Sequence, residues 1–166
     1  MILVIVGNAH QGFLRLLNAV DALAGEGFFS GERVFIQSGN NPQFQPKFCE
    51  HQAFVGMDEF TKRVLEADLV ICHSGAGVLT HVLRSGRVPV VMPRRQEYDE
   101  VIDDHQLELV EVLAAQSRII PAYEPEDLRS AIERARDLPR FSAHVTESKV
   151  FTRIGEAIES LLAKKR

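Results

Sequence analysis

This sequence of 166 residues has only two cysteines, no long apolar run and no excess of basic charge. The two cysteines, Cys49 and Cys72, lie in different contexts and indicate neither a disulfide framework nor a metal knuckle, so a reducing compartment fits best. No stretch approaches the roughly 20 apolar residues of a membrane span, and the first residues lack the basic leader of a secretory signal. We therefore expect a soluble, cytoplasmic protein, which could still dock on a membrane-bound one.

The charge balance argues against a general nucleic-acid binder. The formal net charge is −4, whereas such proteins usually carry a basic excess or stripe. Any phosphate site must then be local. The hydrophobic content of 45% is enough for one well-cored domain over residues 1–166, because no linker-like or low-complexity stretch divides the chain.

Strand-like apolar runs alternate with helical patterns along the whole chain. This alternation predicts an α/β fold, a Rossmann-like doubly wound parallel sheet of about six strands with crossover helices. The predicted strands are Ile2–Val6, Arg33–Gln37, Ala53–Val55, Leu69–Cys72, Val88–Met92 and Ser117–Ile120. Helices are predicted from about Phe13 to Ala24, from a cap at Asp58, after Ser74, after Asp103, from Pro125 to Pro139 and from about Glu147 to Lys164.

The strand-to-helix junction at residues 74–77 carries the clearest functional signal. The apolar run Leu69–Cys72 ends in a Ser-Gly-Ala-Gly turn that opens a helix. The first N–H groups of a helix have no intrahelical partner and the helix dipole is positive at that end, so a diphosphate can be held there. We predict that Ser74 caps this helix, and that Ser74, Gly77 and His81 lie on the face that a ligand would meet.

Two further loops should line the same cleft, because the carboxyl ends of parallel strands meet at one edge of a sheet. The loop after Met92 holds Arg94, which could contact a phosphate or carboxylate unless it is merely exposed, and Gln106, which could bind sugar hydroxyls. Gly7 and Asn8 follow the first strand and could also line the cleft. An ordinary strand-to-helix turn explains those two residues about as well.

Several other kinds of site are disfavoured by spacing. The first loop lacks both the G-x-G-x-x-G fingerprint and a P-loop, which argues against a dinucleotide-dependent oxidoreductase. The sequence around Ser74 lacks the G-x-S-x-G motif, so phosphate binding or capping is favoured over a nucleophilic serine. His73, His81 and the Asp103–His105 cluster match no established ligand spacing, and we expect no metal.

The central segment resembles the C-terminal, donor-binding domain of family 28 glycosyltransferases. Residues 67–77 read ADLVICHSGAG, residues 88–95 read VPVVMPRR and residues 103–106 read DDHQ. The likeness extends from Ile2 to about Pro139. Within the family, the segment is most similar to small catalytic subunits of two-component enzymes, the PssE-type glucuronosyltransferase subunit of exopolysaccharide synthesis and the cytosolic subunit of the dolichol-linked N-acetylglucosaminyltransferase.

The resemblance implies roles for particular residues. Ser74, Gly75, Ala76 and Gly77 would hold the diphosphate of a UDP-sugar, and His105 and Gln106 would contact the sugar. Two positions depart from the family pattern. His81 stands where the related peptidoglycan transferase has a ribose-binding glutamate, and the first turn reads Gly7-Asn8-Ala9 instead of Gly-Thr-His.

These observations lead to a functional hypothesis with one alternative. The resemblance implies a donor-binding catalytic subunit that moves a glucuronosyl or N-acetylglucosaminyl group from a UDP-sugar to a lipid-linked saccharide acceptor. A membrane-associated subunit would bind the acceptor and could hold this chain at the inner membrane face, and no cofactor would be required. The alternative is a non-catalytic nucleotide-binding or regulatory module of the same fold. The catalytic subunit should transfer sugar when its partner is present, whereas the module should bind a nucleotide and stay inactive.

Overall fold

A computed structural model describes residues 1–138 of the chain. Six strands and five α-helices lie in this range, and an α-helix separates each strand from the next except between the second and the third. The strands are β1 (Ile2–Ile5), β2 (Val34–Gln37), β3 (Glu50–Gln52), β4 (Leu69–His73), β5 (Val90–Met92) and β6 (Ile120–Pro121). The helices are α1 (Leu14–Gly25), α2 (Met57–Glu66), α3 (Ala76–Arg84), α4 (His105–Ala115) and α5 (Asp127–Arg136).

All six strands are parallel and form one sheet in the order β3-β2-β1-β4-β5-β6. The prediction of a doubly wound parallel sheet is therefore confirmed. Ile2 pairs with Val34 on one side and with Leu69 on the other, so β1 lies at the centre. The chain leaves β1 and β4 in opposite directions along the sheet. The crevice between these two strand ends is where open α/β sheets bind ligands.

The sheet is covered on both faces. Alternate residues of β1 enter opposite layers: Val4 packs among residues of α1 and α5, whereas Ile5 packs among residues of α2, α3 and α4. Every residue of β1, β2, β4 and β5 is buried. This burial explains why these strands are apolar or nearly so at consecutive positions, because neither face of the sheet meets water.

The third strand lies elsewhere than predicted. The apolar residues 53–55 were expected to form it, but β3 is the polar segment Glu50–Gln52 at the sheet edge, and all three of its residues are exposed. An edge strand is held mainly by main-chain hydrogen bonds, so its sequence need not be apolar. Ala53 still accepts a hydrogen bond from the Gly39 N–H at 2.8 Å, and Val55 lies in the cleft described below.

Two predicted element boundaries also change. Asp58 does not cap α2, since the helix begins at Met57 after an extended Gly56, and Asp58 lies in its first turn. The last strand begins at Ile120 because Ser117, at φ +55°, forms a left-handed turn after α4. The helix predicted at 147–164 lies outside the described residues. No helix within 1–138 is long and apolar enough to cross a membrane.

Gly39 follows β2 at the carboxyl edge of the sheet, and Gly27, which follows α1, is a matched control for a test of main-chain packing at that edge. Both have positive φ, +57° and +73°, but a β-carbon on Gly39 would lie 2.2 Å from the carbonyl oxygen of Gly7, whereas one on Gly27 would meet nothing within 4 Å. We expect Gly27→Ala to cost about 1 kcal/mol through backbone strain alone. Gly39→Ala should cost about 3 kcal/mol, because the Gly7 loop must also move. Urea unfolding of both variants measures the difference, and equal losses would contradict the packing argument.

Candidate functional site

A cleft of about 320 Å³ opens at the carboxyl ends of β1 and β4, at the point where the strand order reverses. Gly7 and Asn8 line it from the loop after β1, Gly75 lines it from the loop after β4, and Gly77 lines it from the first turn of α3. Apolar side chains from the segment before α2, from α2 and from α3 also line it, namely Val55, Met57, Phe60 and Val78. The cleft therefore joins a glycine-rich wall to an apolar one.

The N-terminus of α3 faces this cleft without a side-chain cap. Gly75 is the N-cap residue, with φ −69° and ψ 129°, and no side chain bonds to the first N–H groups of the helix. Gly77 and Val78, in that first turn, line the cleft. Unpaired N–H groups and the positive end of the dipole thus meet the cleft together, which is the arrangement that binds phosphate in α/β proteins.

Ser74 does not cap α3 as predicted. Strand β4 continues through His73, so the N-cap position falls on Gly75 instead. The Ser74 side chain is buried, and its hydroxyl lies 3.1 Å from Oε1 and 3.2 Å from the carbonyl oxygen of Gln106. Ser74 therefore joins the loop after β4 to the start of α4, and its hydroxyl is directed toward Gln106.

His73 forms part of the cleft lining between the two glycine loops. A β-carbon on Gly7 would lie 2.5 Å from its Nε2, and one on Gly75 would lie 2.1 Å from its Cε1. Any side chain at either position would collide with the imidazole ring. The two loops can approach this ring only because both positions are glycine.

His73 is also electrostatically unusual. Its exposed fraction is 8%, and neither ring nitrogen reaches hydrogen-bonding geometry with any group of the described residues. Burial lowers the pKa of His73 to about 4, the positive charge of Arg94 acts in the same direction, and the Gln106 side chain opposes both. The ring is therefore neutral at pH 7. The sequence pattern disfavours His73 as a metal ligand and gives it no other role; its position as the last strand residue before a glycine turn is the signal that could have indicated its place at the cleft.

Arg94 does not occupy the position predicted for a phosphate contact. Its exposed fraction is 1%, and its guanidinium donates to main-chain carbonyl oxygens of Val6, Gln11, Gly12 and Glu100. The reason is the closeness of the first loop, which brings the carbonyl groups of Val6, Gln11 and Gly12 within reach of the loop after β5. The sequence pattern could not distinguish this internal role from a ligand contact.

The remaining predicted residues lie at different distances from the cleft. His81 lines it, packs edge-on against Phe60 with ring centroids 5.6 Å apart, and places Nδ1 3.1 Å from the Gly77 carbonyl. Gln106 is not among the residues that line the cleft. Its Oε1 accepts hydrogen bonds from the Ser74 hydroxyl at 3.1 Å and from the Arg94 main-chain N–H at 3.2 Å.

His105 and Ala76 do not belong to the cleft lining. Ala76 opens α3, and His105 opens α4, where its side chain is 40% exposed. The ring nitrogens of His105 lie 3.4 Å from Asp103 and 3.8 Å from Glu108. Among residues 1–138, no three histidine, cysteine or acidic side chains are grouped so that they could hold a metal ion.

A doubly wound parallel sheet with a glycine-lined cleft at its switch point defines an α/β domain of the nucleotide-binding class. The chain belongs to a family within this class: the model of the glycosyltransferase family 28 C-terminal domain matches residues 1–158. The family predicted by resemblance is therefore confirmed. No curated protein matches the chain.

Solved structures share the fold. The glycotransferase of kitacinnamycin matches with a TM-score of 0.60 and 18% identity over 98% of this chain. MurG of Acinetobacter baumannii matches with a TM-score of 0.52 and 24% identity over 80% of this chain. The chain covers 39% and 40% of the length of these two structures. The fold is that of the C-terminal half of a GT-B glycosyltransferase.

The buried state of His73 predicts a pH dependence of stability. Its folded pKa of about 4 lies below the ordinary value of 6.5, so stability is fully present above pH 6.5 and is lost as the pH falls toward 4. The loss attributable to this one residue should reach about 3 kcal/mol. Urea unfolding of the wild type and His73→Asn between pH 7 and 4.5 measures it. The wild-type curve should fall more steeply, and parallel curves would contradict the assignment.

Proposed function

We propose that this chain is the donor-binding subunit of a two-component glycosyltransferase, which moves a glucuronosyl or N-acetylglucosaminyl group from a UDP-sugar to a lipid-linked acceptor. The observation that carries the proposal is the uncapped N-terminus of α3, which meets the cleft beside the buried ring of His73.

A nucleoside diphosphate suits the two walls of the cleft. The N–H groups at the start of α3 match an anionic diphosphate, and a nitrogen of His73 can share a proton with a phosphate oxygen. The apolar wall around Val55 and Phe60 suits the face of a base, while His81 lies where a ribose hydroxyl would meet it. Acidic side chains are absent from the described lining, so nothing there repels a phosphate.

Transfer of the sugar increases the negative charge on the leaving UDP. N–H groups already fixed at the start of α3 stabilise that charge without reorganising, which is how such sites lower a reaction barrier. Arg94 acts here as a positive charge held behind the loop and makes no contact with the donor. Gln106 and His105 are the proposed sugar contacts, from the start of α4.

The acceptor and the general base are proposed to come from a membrane-associated partner subunit. The chain corresponds to about two-fifths of the matched glycosyltransferases, so their remaining length has no counterpart in the aligned segment. We propose that the partner closes the cleft from the carboxyl edge of the sheet. Residues 147–164, for which the sequence predicts a helix, are the proposed docking element. The chain would then lie in the cytoplasm, at the inner membrane face, when paired.

A single charge at Gly77 tests the diphosphate site without damaging the fold. A β-carbon on Gly77 meets nothing within 4 Å, so a side chain there enters open space. Gly77→Asp should stabilise α3 by about 0.5 kcal/mol, because a carboxylate suits a helix N-terminus. It should weaken UDP binding by about a hundredfold, because that carboxylate repels the phosphates. Calorimetric titration with UDP and urea unfolding measure the two effects.

Gly77→Asn is the matched control for that substitution, since asparagine has the same shape without the charge. It should weaken UDP binding by less than about tenfold. Equal binding of UDP by the Asp and Asn variants would contradict the proposal that the diphosphate binds at the N-terminus of α3. NAD serves as a ligand control in the same titration, and binding of NAD in preference to UDP would support a dinucleotide-dependent oxidoreductase instead.

Turnover distinguishes the enzyme from a non-catalytic module. The chain should be co-purified from native membranes with its partner and supplied with radiolabelled UDP-glucuronic acid or UDP-N-acetylglucosamine. We expect label to enter the lipid fraction from one donor only, and Gln106→Ala to slow that transfer by at least about tenfold, since one sugar contact is lost. Binding of UDP without transfer by any co-purified pair would support the regulatory module instead.

A further inference from the structure

The guanidinium of Arg94 joins separate loops at the carboxyl edge of the sheet. Nη1 donates to the carbonyl oxygens of Gln11 at 2.8 Å, Gly12 at 3.1 Å and Glu100 at 3.0 Å. Nη2 donates to the carbonyl oxygen of Val6 at 2.9 Å. All four acceptors are main-chain atoms. They belong to the end of β1, to the loop before α1 and to the loop after β5.

Burial of this guanidinium is energetically unfavourable if the side chain does no more than fill space in the core. Burying a charged group costs free energy unless it is paired, and the Glu100 carboxylate, whose charge acts on Arg94, is hydrogen-bonded to other groups. The Glu100 carboxylate receives Arg15 at 2.9 Å and the Arg95 main-chain N–H at 3.1 Å. Nε of Arg94 has no partner among the described groups, and the ring of Phe13 lies 4.8 Å from the guanidinium carbon. An apolar side chain would fill the same volume at less cost, so the hydrogen bonds to the loop are the feature to explain.

The two outer contacts close one short segment of chain. Val6 and Gln11 bind the same guanidinium, so residues 7–10 form a loop whose two ends are held together. Gly7 and Asn8, within that loop, line the cleft. The main-chain N–H of Arg94 is also bonded to Gln106. The shape of the glycine-rich wall thus depends on contacts that only a forked, five-donor side chain can make at once.

We propose that Arg94 is a positioning residue for the donor site: its guanidinium closes the loop of residues 7–10 so that Gly7 and Asn8 face the donor, and it never touches the donor itself. This inference rests on the proposed function. Thermodynamic reciprocity supplies its test, because if closure of the loop favours the donor, then the donor must favour closure by the same factor.

Arg94→Lys keeps the charge but removes the fork. A lysine ammonium can reach some of the four carbonyl oxygens but cannot hold both ends of the loop in the planar geometry of a guanidinium. We expect the dissociation constant for UDP to rise about tenfold, measured by calorimetry under conditions where urea unfolding shows the variant to be folded.

Arg95→Lys is the matched control. Arg95 belongs to the same loop, but its side chain pairs with Glu97 and Glu124 and forms no hydrogen bond or ion pair with residues 6–12. It should leave the dissociation constant for UDP within about twofold of the wild type. Equal losses in the two lysine variants would overturn the proposal, because loosening of the loop after β5 would then explain both.

A double-mutant cycle identifies the loop as the route of the effect. Asn8→Ala should weaken UDP binding by itself, and in that background Arg94→Lys should cost less than about threefold, since the contact that it positions is already gone. A purely structural role would weaken binding by the same factor in both backgrounds. Additive effects would therefore overturn the proposal even if Arg94→Lys binds UDP poorly.

The wild-type protein supplies a second measurement that needs no folded variant. Amide hydrogen exchange at residues 7–12 and the side-chain NMR signals of Arg94 should show slower exchange when UDP is added. Unchanged exchange at saturating UDP would overturn the positioning role while leaving the donor site intact. Failure of the wild type to bind UDP at all would count against the proposed function, which separates the two conclusions.

Discussion

Burial of the sheet on both faces confines the polar chemistry of the central strands to their carboxyl ends. Residues of β1, β2, β4 and β5 are all buried, and the only residues of these strands that line the cleft are Ile5, Gln37 and His73, the last residue of each strand. Only where these strands end can the chain expose N–H groups and polar side chains. The reversal of strand order between β1 and β4 then spreads two of the loops apart and leaves a cleft between them.

Close approach of main chain sets the shape of that cleft. Gly7 and Gly75 pack against the ring of His73, and Gly39 packs against the carbonyl group of Gly7. Each contact is possible only without a β-carbon, so the loops are linked through glycine as well as through the Arg94 guanidinium. Such packing leaves few alternative arrangements, which favours N–H donors that are in position before a ligand arrives.

The sequence predicts the parts of this molecule that follow from local pattern. Consecutive apolar residues before glycine turns predict a parallel sheet, and the turn after β4 predicts the open helix end. The location of β3 was predicted wrongly because an exposed edge strand carries no apolar pattern. The internal roles of Arg94 and Ser74 were missed because both depend on contacts with residues far along the chain, Val6 and Gln106. A local pattern identifies a polar side chain at a loop, but only the fold decides whether it meets ligand or protein.

The internal use of charge near the cleft bears on how a donor would be bound. Arg94 is engaged with carbonyl groups, and Arg15 is paired with Glu100, so neither cation is left to neutralise a phosphate directly. Under the proposed function, the diphosphate would instead meet fixed N–H groups, a neutral His73 and the field of a buried guanidinium. Such a site gains most when negative charge grows on the leaving group, because its dipoles are already aligned. It would therefore stabilise the departing UDP more than the intact donor, which is the condition for catalysis rather than storage.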